Sequence, residues 1–433
     1  MLNLAFYLET YGCQMNLYDS AVVRSILKAA GCHESPEIGG ADLVIINSCA
    51  VRGHAEERVL GRIGELKSWK SSRPGRLMAL IGCVAQENGA TLMGKFPQLD
   101  LVLGTERHRD IIPALEAFLD SRRREAATGL EPRGDDPLPD FQPQVSAFLA
   151  VMRGCDNFCS YCIVPYVRGR EYSRSESQVL RDINGLASRG VKDITLVGQN
   201  VNSYRSGVVD FPALLKRAAA IPGIERVRFI TSHPKDCSHI LLEAMAGDDK
   251  ICHHLHLPLQ SGSDRVLARM NRRYTLGQYQ AIVEAARRMM PDLVLTTDLI
   301  AGFPGETEDD FWATLGAMRD IRFDSAFTYK YSPRPGTAAA GLPEQLEDEV
   351  RHNRLERMIS LQQEISLKSN QADVGNVFEV LVEQGVTRKG QPMGRTMGGK
   401  MVAIDGSLDV LPGQLVRVII GRATQSTLIG RLA

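Results

Sequence analysis

Apolar runs of strand length recur along most of this chain, and the stretches between them are long enough only for helices. Residues 1–120 carry "LAFYLET", "ADLVIINS", "LMALIG" and "LDLVLGT", separated by helix-length segments such as 19–30 and 53–70. Residues 145–370 repeat the plan with "FLAVM" (148–152), "DITLVGQN" (193–200), "RVRFI" (226–230), "CHHLHLPL" (252–259), "DLVLTTDLI" (292–300) and "SAFTYKY" (325–331). Parallel strands need a crossover of a dozen or more residues, whereas antiparallel strands can be joined by a tight turn. The alternation therefore predicts an α/β chain: a small parallel sheet in residues 1–120, then a core at 145–370 whose six strands form a partial (β/α)6 barrel. A flat doubly wound sheet is the alternative for that core. In either arrangement ligands gather at the C-terminal ends of the strands.

Two segments depart from this pattern. Residues 121–144, "SRRREAATGLEPRGDDPLPDFQPQ", are charged, rich in Pro and Gly and without periodicity, which reads as a linker or a loop laid over the surface. Residues 374–433 lose the helical patterns and carry short β-type runs between Gly and Pro, as in a small antiparallel β-barrel. This last segment has seven Lys/Arg against four Asp/Glu, while the whole chain balances 51 against 51. A local basic excess suits an RNA-facing module. "GRTMGGK" (394–400) imitates a phosphate-binding loop, but Met401 stands where Ser or Thr is needed and a strand follows in place of a helix. It reads as a glycine-rich β-turn.

The N-terminus lacks the charged and apolar regions of an export signal, and no run of roughly 18 apolar residues is present. The nine cysteines are an odd number. Together these predict a cytoplasmic protein with reduced thiols and no membrane span. Three of the cysteines, Cys155, Cys159 and Cys162, lie in "RGCDNFCSYC", just after the first strand of the core. Thiolates suit iron–sulfur clusters, and three of them leave one iron of a four-iron cluster without a protein ligand. S-adenosylmethionine fits that open iron through its amino and carboxylate groups. A structural zinc site with a distant fourth ligand is the alternative.

Cys13, Cys49 and Cys83 form a second set. They are far apart in sequence, yet each follows a strand and precedes a helix pattern. Ends of neighbouring parallel strands lie along one edge, so three thiols there would converge, beside helix N-termini that favour negative charge. Gly12 and Gly82 precede two of them and permit close backbone approach. Cys32, Cys237 and Cys252 lack this setting and are assigned to packing. Cys252, His254 and His256 share a strand face without an evident fourth ligand, so they too read as barrel-strand positions.

CxxxCxxC after the first strand, with Tyr161 before the last cysteine, resembles the radical S-adenosylmethionine superfamily. With "ETYGCQMNLYDS", "NSCAVRGHAEERV", "GCVAQ" and "RGCDNFCSYCIVPYVRGREYSR", the whole chain resembles the methylthiotransferases, and within them the MiaB type. That branch converts N6-isopentenyladenosine 37 of tRNA to its 2-methylthio derivative. One departure is Ser48, where the family usually has threonine. The resemblance implies two 4Fe-4S clusters, on Cys13, Cys49 and Cys83 and on Cys155, Cys159 and Cys162. It implies S-adenosylmethionine as both methyl donor and radical source, and a C-terminal TRAM domain gripping the tRNA anticodon stem-loop.

By the same resemblance, Tyr161, Gly198, Gln199, Asn200, Ser232, Gln260, Ser261 and Asp298 are candidates for binding the cofactor or substrate. Arg168, with Arg170 and Arg174 beside the first cluster motif, is a candidate for RNA phosphate or the cofactor's carboxylate, the alternative being pairing with Glu171 and Glu176. Ser263 is read alternatively as a helix cap. Arg388, Lys389, Arg395 and Lys400 are the candidate RNA contacts. An electron donor such as flavodoxin or ferredoxin and a monomeric state complete the expectation. A methylthiotransferase acting on threonylcarbamoyladenosine or on a ribosomal-protein aspartate is the near alternative. An iron–sulfur redox sensor that binds RNA without catalysis is the distant one.

Overall fold

A computed structural model describes every residue except 1, 51, 52, 132, 133, 135, 142, 143, 388, 389 and 407–409, and gives the backbone alone at 53–55. Arg388 and Lys389, two of the expected RNA contacts, thus lie outside the described residues. The chain forms two compact units. One comprises residues 1–142, 152–156 and 162–174; the other comprises 143–151, 157–161 and 175–433.

The first unit is built on a six-stranded parallel sheet. Its strands are β1 (Ala5–Tyr11), β2 (His33–Glu34), β3 (Leu43–Ser48), β4 (Leu77–Gly82), β5 (Leu101–Leu103) and β6 (Glu125–Ala127), in spatial order β2-β1-β3-β4-β5-β6. β3 and β4 are buried along their whole length, because helices cover both faces of a central parallel strand. Two clusters fill the layers, one around Val44, Ile46 and Leu80, the other around Leu43, Ile45 and Ile81. Helix α1 (Gln14–Ala29) starts directly after Cys13, earlier than the apolar pattern alone indicates. Helices α2 (Gly53–Ser71) and α3 (Cys83–Lys95) follow β3 and β4.

The stretch expected to be a linker is in part structural. β6 pairs with β5 at the sheet edge, and Asp136 is buried. Asp136 accepts hydrogen bonds from Tyr18 Oη (2.9 Å), Arg109 Nε (2.7 Å) and Arg153 Nη2 (2.6 Å). Three donors in a dry setting hold a single carboxylate against the cost of burial, which explains why a polar, aperiodic segment is nonetheless fixed.

The second unit has six parallel core strands: β7 (Ser146–Ala150), β8 (Asp193–Val197), β9 (Arg226–Phe229), β10 (His254–His256), β11 (Val294–Ala301) and β12 (Ser325–Lys330). β7, β8 and β9 form one ladder and β10, β11 and β12 another, linked by a parallel bridge between Val227 and Ile251. This is the partial barrel. Helix α4 (Asp348–Ala372) follows it and leads to a closed five-stranded barrel. The barrel strands are β13 (Val377–Val386), β14 (Pro392–Thr396), β15 (Met401–Ile404), β16 (Leu415–Ala423) and β17 (Leu428–Leu432). Four seams are antiparallel, but β15 and β17 pair in parallel, so the expected all-antiparallel barrel is corrected at that seam. Val380, Val382, Val402, Ile404, Val418 and Ile420 fill its interior.

Barrel and core interlock within this unit. Arg228 donates to Met397 O and Thr396 O, both at 2.9 Å, while its Nε meets Asp193 at 2.8 Å. Arg226, buried, reaches Glu379 O at 3.2 Å and also donates to Arg395 O. Among the described residues no helix is long and apolar enough to cross a membrane.

Candidate active site

In the first unit the strand register settles the geometry. Tyr11 pairs with Ser48, and Ser48 with Gly82, so β1, β3 and β4 end level. The residues that follow bring Cys13, Cys49 and Cys83 to one edge. The glycines expected to permit close approach have no room for a side chain. A Cβ on Gly12 would lie 2.7 Å from Cys49 Cβ, and one on Gly82 would lie 2.5 Å from Asn47 Oδ1 and 2.6 Å from Ser48 O. Gly82 also has φ +94°, a conformation that favours glycine.

A clamp of buried amides holds the loops together. Asn16 Nδ2 donates to Asn47 Oδ1 (3.0 Å) and Ser48 O (3.1 Å), and Asn47 Nδ2 donates to Asn16 O and Ser20 Oγ, both at 2.9 Å. Asn16 Oδ1 in turn accepts from the Cys13 N–H at 3.2 Å. Ser48 Oγ donates to Ile81 O at 2.7 Å, so the hydroxyl at this position has a structural task that serine performs.

The three thiols lie close enough to act on one another, Cys49 interacting with both Cys13 and Cys83. Among the described residues no three such side chains close round a single metal ion. An all-sulfur donor set suits an iron–sulfur cluster. Contact with Cys49 is the main cause that pulls Cys13 down to about 6 and Cys83 down to about 7; burial opposes it, and Arg168 adds to the lowering. Cys49 is pushed up by its contacts with the same two thiols. Thiolate is the form that binds iron.

Arg168 was expected to meet RNA phosphate or the cofactor's carboxylate, or to pair with Glu171 or Glu176. Its Nε instead donates to Cys83 Sγ at 3.3 Å, and its Nη1 lies 2.7 Å from Asp19. The side chain is buried. Arg153, Asp19, Glu106 and Asp136 form a buried charge network beside it. Arg153 lies 3.2 Å from Glu106, 2.6 Å from Asp136 and 3.6 Å from Asp19. None of these network residues, nor Asn16 and Asn47, announces its partners in sequence, because each joins segments far apart along the chain.

Within the second unit, Gln199, Asn200, Ser232, Gln260 and Ser261 follow the C-terminal ends of β8, β9 and β10, while Asp298 lies within β11. Four buried polar atoms there have no hydrogen-bond partner among the described residues: Gln199 Oε1, Asn200 Oδ1, Ser232 Oγ and His233 Nε2. Buried polar groups are seldom left unpaired in a folded protein, so their clustering marks a place for a polar ligand. His233 Nδ1 accepts from the Lys235 N–H at 3.2 Å, and burial, with Arg272 next in weight, holds the ring neutral by pushing it down to about 2. Its Nε2–H is therefore an available donor, one that the sequence alone does not separate from its neighbour Ser232.

Gly198 is used locally, its carbonyl accepting from Thr231 Oγ1 at 2.7 Å. Gln260 adopts φ +71° with its backbone bridged to β11, and Asp298 Oδ2 lies 3.5 Å from His256 Nε2. Ser261 is enclosed beside Thr314 Oγ1 at 3.3 Å, and Ser263 caps a helix and donates to Asp310 at 2.6 Å; these are turn and cap roles. Cys237 and Cys252 are buried, as packing requires. His254 and His256 share Thr296 Oγ1, at 3.1 and 3.0 Å.

Of the described RNA candidates, Arg395 pairs with Glu383 at 3.2 Å and stays 38% exposed. Lys400 is tied within the protein. Its Nζ is held by Asp373 (2.8 Å), Ser369 Oγ (3.0 Å) and Asp324 (3.3 Å), joining the barrel to α4 and the core. Arg417, Arg422 and Arg431, overlooked in the sequence because they sit inside strands, are exposed on β16 and β17.

Family descriptions match three successive stretches: Uncharacterized protein family UPF0004 at residues 5–104, the Radical SAM superfamily at 149–318 and the TRAM domain at 371–433. The tRNA-2-methylthio-N(6)-dimethylallyladenosine synthase of Geotalea uraniireducens is 44% identical over 98% of this chain and 98% of its own. The protein of that name from Caldicellulosiruptor saccharolyticus is 44% identical over 99% of this chain and 93% of its own. Among solved structures, the radical S-adenosylmethionine methyltransferase TsrM of Kitasatospora setae superposes with a TM-score of 0.56 at 15% identity, covering 78% of this chain and 75% of that one, a likeness of fold.

Proposed function

The chain belongs to the radical S-adenosylmethionine methylthiotransferase family of the tRNA-2-methylthio-N(6)-dimethylallyladenosine synthases, and we propose that it adds a methylthio group at C2 of N6-isopentenyladenosine in tRNA. The observation that carries this reading is the register that brings Cys13, Cys49 and Cys83 together at the level ends of β1, β3 and β4, in a chain that also carries the Cys155, Cys159 and Cys162 motif. Two 4Fe-4S clusters on these sets, with S-adenosylmethionine, would supply one-electron cleavage chemistry strong enough to break the unactivated C2–H bond, and the methylated sulfur.

The residues present fit that assignment. In the first unit Gly12 and Gly82 let the three loops approach, the Asn16–Asn47 clamp fixes their spacing, and Arg168 offers a positive charge to Cys83. In the second unit the unpaired atoms of Gln199, Asn200, Ser232 and His233 supply donors and acceptors for the amino acid and ribose parts of the cofactor. Asp298, within β11, and Gln260, bridged to the same strand, are the further candidates for that site. Tyr161, packed against the cluster of Val266, Met270 and Phe303, is read as a support for the cysteine loop.

The TRAM barrel would hold tRNA through phosphate contacts. Exposed Arg417, Arg422 and Arg431, with Arg395, suit this better than Lys400, whose charge is already spent. The protein is read as a cytoplasmic monomer reduced by a flavodoxin or ferredoxin. Mass analysis of nucleosides from tRNA of a strain lacking the gene tests the assignment: loss of the 2-methylthio product, restored by the wild-type chain but not by Cys49→Ala, is the expected outcome. Unchanged nucleosides in the deletion strain would dismiss it.

A further inference from the structure

Arg272 is a buried cation that no sequence motif singled out. Its Nη1 donates to Cys159 Sγ at 3.2 Å and approaches Tyr161 Oη at 3.5 Å; Nη2 donates to Pro258 O at 3.1 Å; Nε donates to Tyr274 Oη at 3.0 Å. The guanidinium lies 5.2 Å from the centre of the Tyr274 ring, whose hydroxyl is itself anchored to Leu259 O at 2.8 Å. The fork is thus committed in three directions and aimed at one sulfur.

The backbone is contorted to hold it there. Asn271 and Arg273, on either side, have φ +58° and +59°, and Phe158, next to Cys159, has φ +46°. Left-handed conformations are unfavourable for residues other than glycine and asparagine, such as Arg273 and Phe158. Asn271 Nδ2 bonds Phe158 O (3.0 Å) and Asn157 O (3.3 Å), and the Ser160 N–H bonds Met270 O (3.0 Å), so the arginine turn and the cysteine loop are stitched together. Arg168 provides the contrast. It also donates to a thiol sulfur, but Asp19 offsets its charge at 2.7 Å. Arg272 forms no ion pair with a carboxylate among the described residues.

We infer that Arg272 is a positioning residue that raises the reduction potential of the cluster held by Cys155, Cys159 and Cys162, through an uncompensated positive charge and an N–H···S hydrogen bond to Cys159. Hydrogen bonds to ligand sulfur and nearby positive charge stabilise the reduced, more negative cluster, while burial keeps water from screening them. This rests on the reading of those three cysteines as cluster ligands.

The test uses the full chain with Cys13, Cys49 and Cys83 all replaced by alanine, so that only the core cluster remains. Iron content is measured after reconstitution, and the cluster is titrated by electron paramagnetic resonance. Failure of this parent to bind iron would count against the proposed function, whatever Arg272 does. If the parent loads, Arg272→Gln should lower the ratio of reduced to oxidised cluster at a fixed poise on the order of tenfold, about 59 mV for a one-electron couple. Arg272→Lys, which keeps the charge but not the fork, should restore part of the loss. Tyr274→Phe leaves the guanidinium but removes the hydroxyl on Nε, and should give a smaller fall in the same direction. Wild-type potentials in Arg272→Gln overturn the inference. Should that variant fail to hold a cluster, an unchanged potential in Tyr274→Phe overturns it instead.

Discussion

Replacing Asn47 by alanine removes the centre of the clamp between the Cys13 and Cys49 loops. Asn47 is fully buried, and its amide makes three hydrogen bonds: one from Asn16 Nδ2 at 3.0 Å and one each to Asn16 O and Ser20 Oγ at 2.9 Å. Each is worth about 1 kcal/mol net. The partners keep other contacts, Asn16 Nδ2 to Ser48 O and Ser20 Oγ to Thr10 Oγ1, so the penalty for stranded groups is reduced. A loss of about 3 kcal/mol follows for the first unit. The chain has two tryptophans, Trp69 in the first unit and Trp312 in the second. In a Trp312→Phe background, Trp69 fluorescence therefore reports the first unit within the intact chain. With a urea slope of about 2 kcal/mol per molar, the midpoint of the metal-free protein should fall by about 1.5 M. Iron binding at Cys13, Cys49 and Cys83 should weaken alongside. A midpoint moved by less than about 0.3 M, with the slope unchanged and full iron loading, would refute the view that this amide sets the spacing of the thiols.

Three further perturbations follow from the same contacts. Arg153→Met leaves Asp136, Glu106 and Asp19 without their shared cation, and should cost the first unit about 3–5 kcal/mol by the same Trp69 assay. Burial, with Arg228 next in weight, holds His254 down to about 3, below the ordinary value of about 6.5. Between those values the unfolded chain takes up a proton that the folded one refuses, so stability rises with pH through that window and levels off above it. Urea midpoints followed by circular dichroism should show this slope, up to about 1.4 kcal/mol per pH unit for one histidine, and lose that share in His254→Gln. Finally, Arg431→Gln should flatten the salt dependence of tRNA binding by about one counterion, whereas Lys400→Met should leave that slope alone and lower the melting temperature; equal slopes in both variants would dismiss the exposed face as the phosphate contact.

The alternation of buried runs and crossovers is a property of local sequence, so the parallel sheet and the partial barrel are legible in the order of residues alone. The same holds for Cys13, Cys49 and Cys83, because position at the end of a strand is itself local. What stayed hidden depended on distance. β6 is a three-residue strand whose "EAA" carries no apolar signal and exists because β5 offers an unpaired edge. β14, "PMGRT", contains Pro and Gly and is held by pairing on both sides. Lys400 and Arg168 read as cations free to meet a ligand, since a sequence shows the charge and not the carboxylates of Asp373 and Asp19 that meet it. Arg272 is a single residue in an undistinguished turn, and only the folded chain brings it to Cys159.

The grip of Arg226, Arg228 and Lys400 on the joint between core and barrel turns the C-terminal domain into a fixed gauge rather than a hand on a tether. A nucleic acid held on β16 and β17 meets the strand ends of the core at a span set by protein, and only a stem of matching length brings its loop to that point. Lengthening the short turn after α4 would then leave the choice of nucleotide unaltered, while shortening the RNA stem by one base pair would shift it.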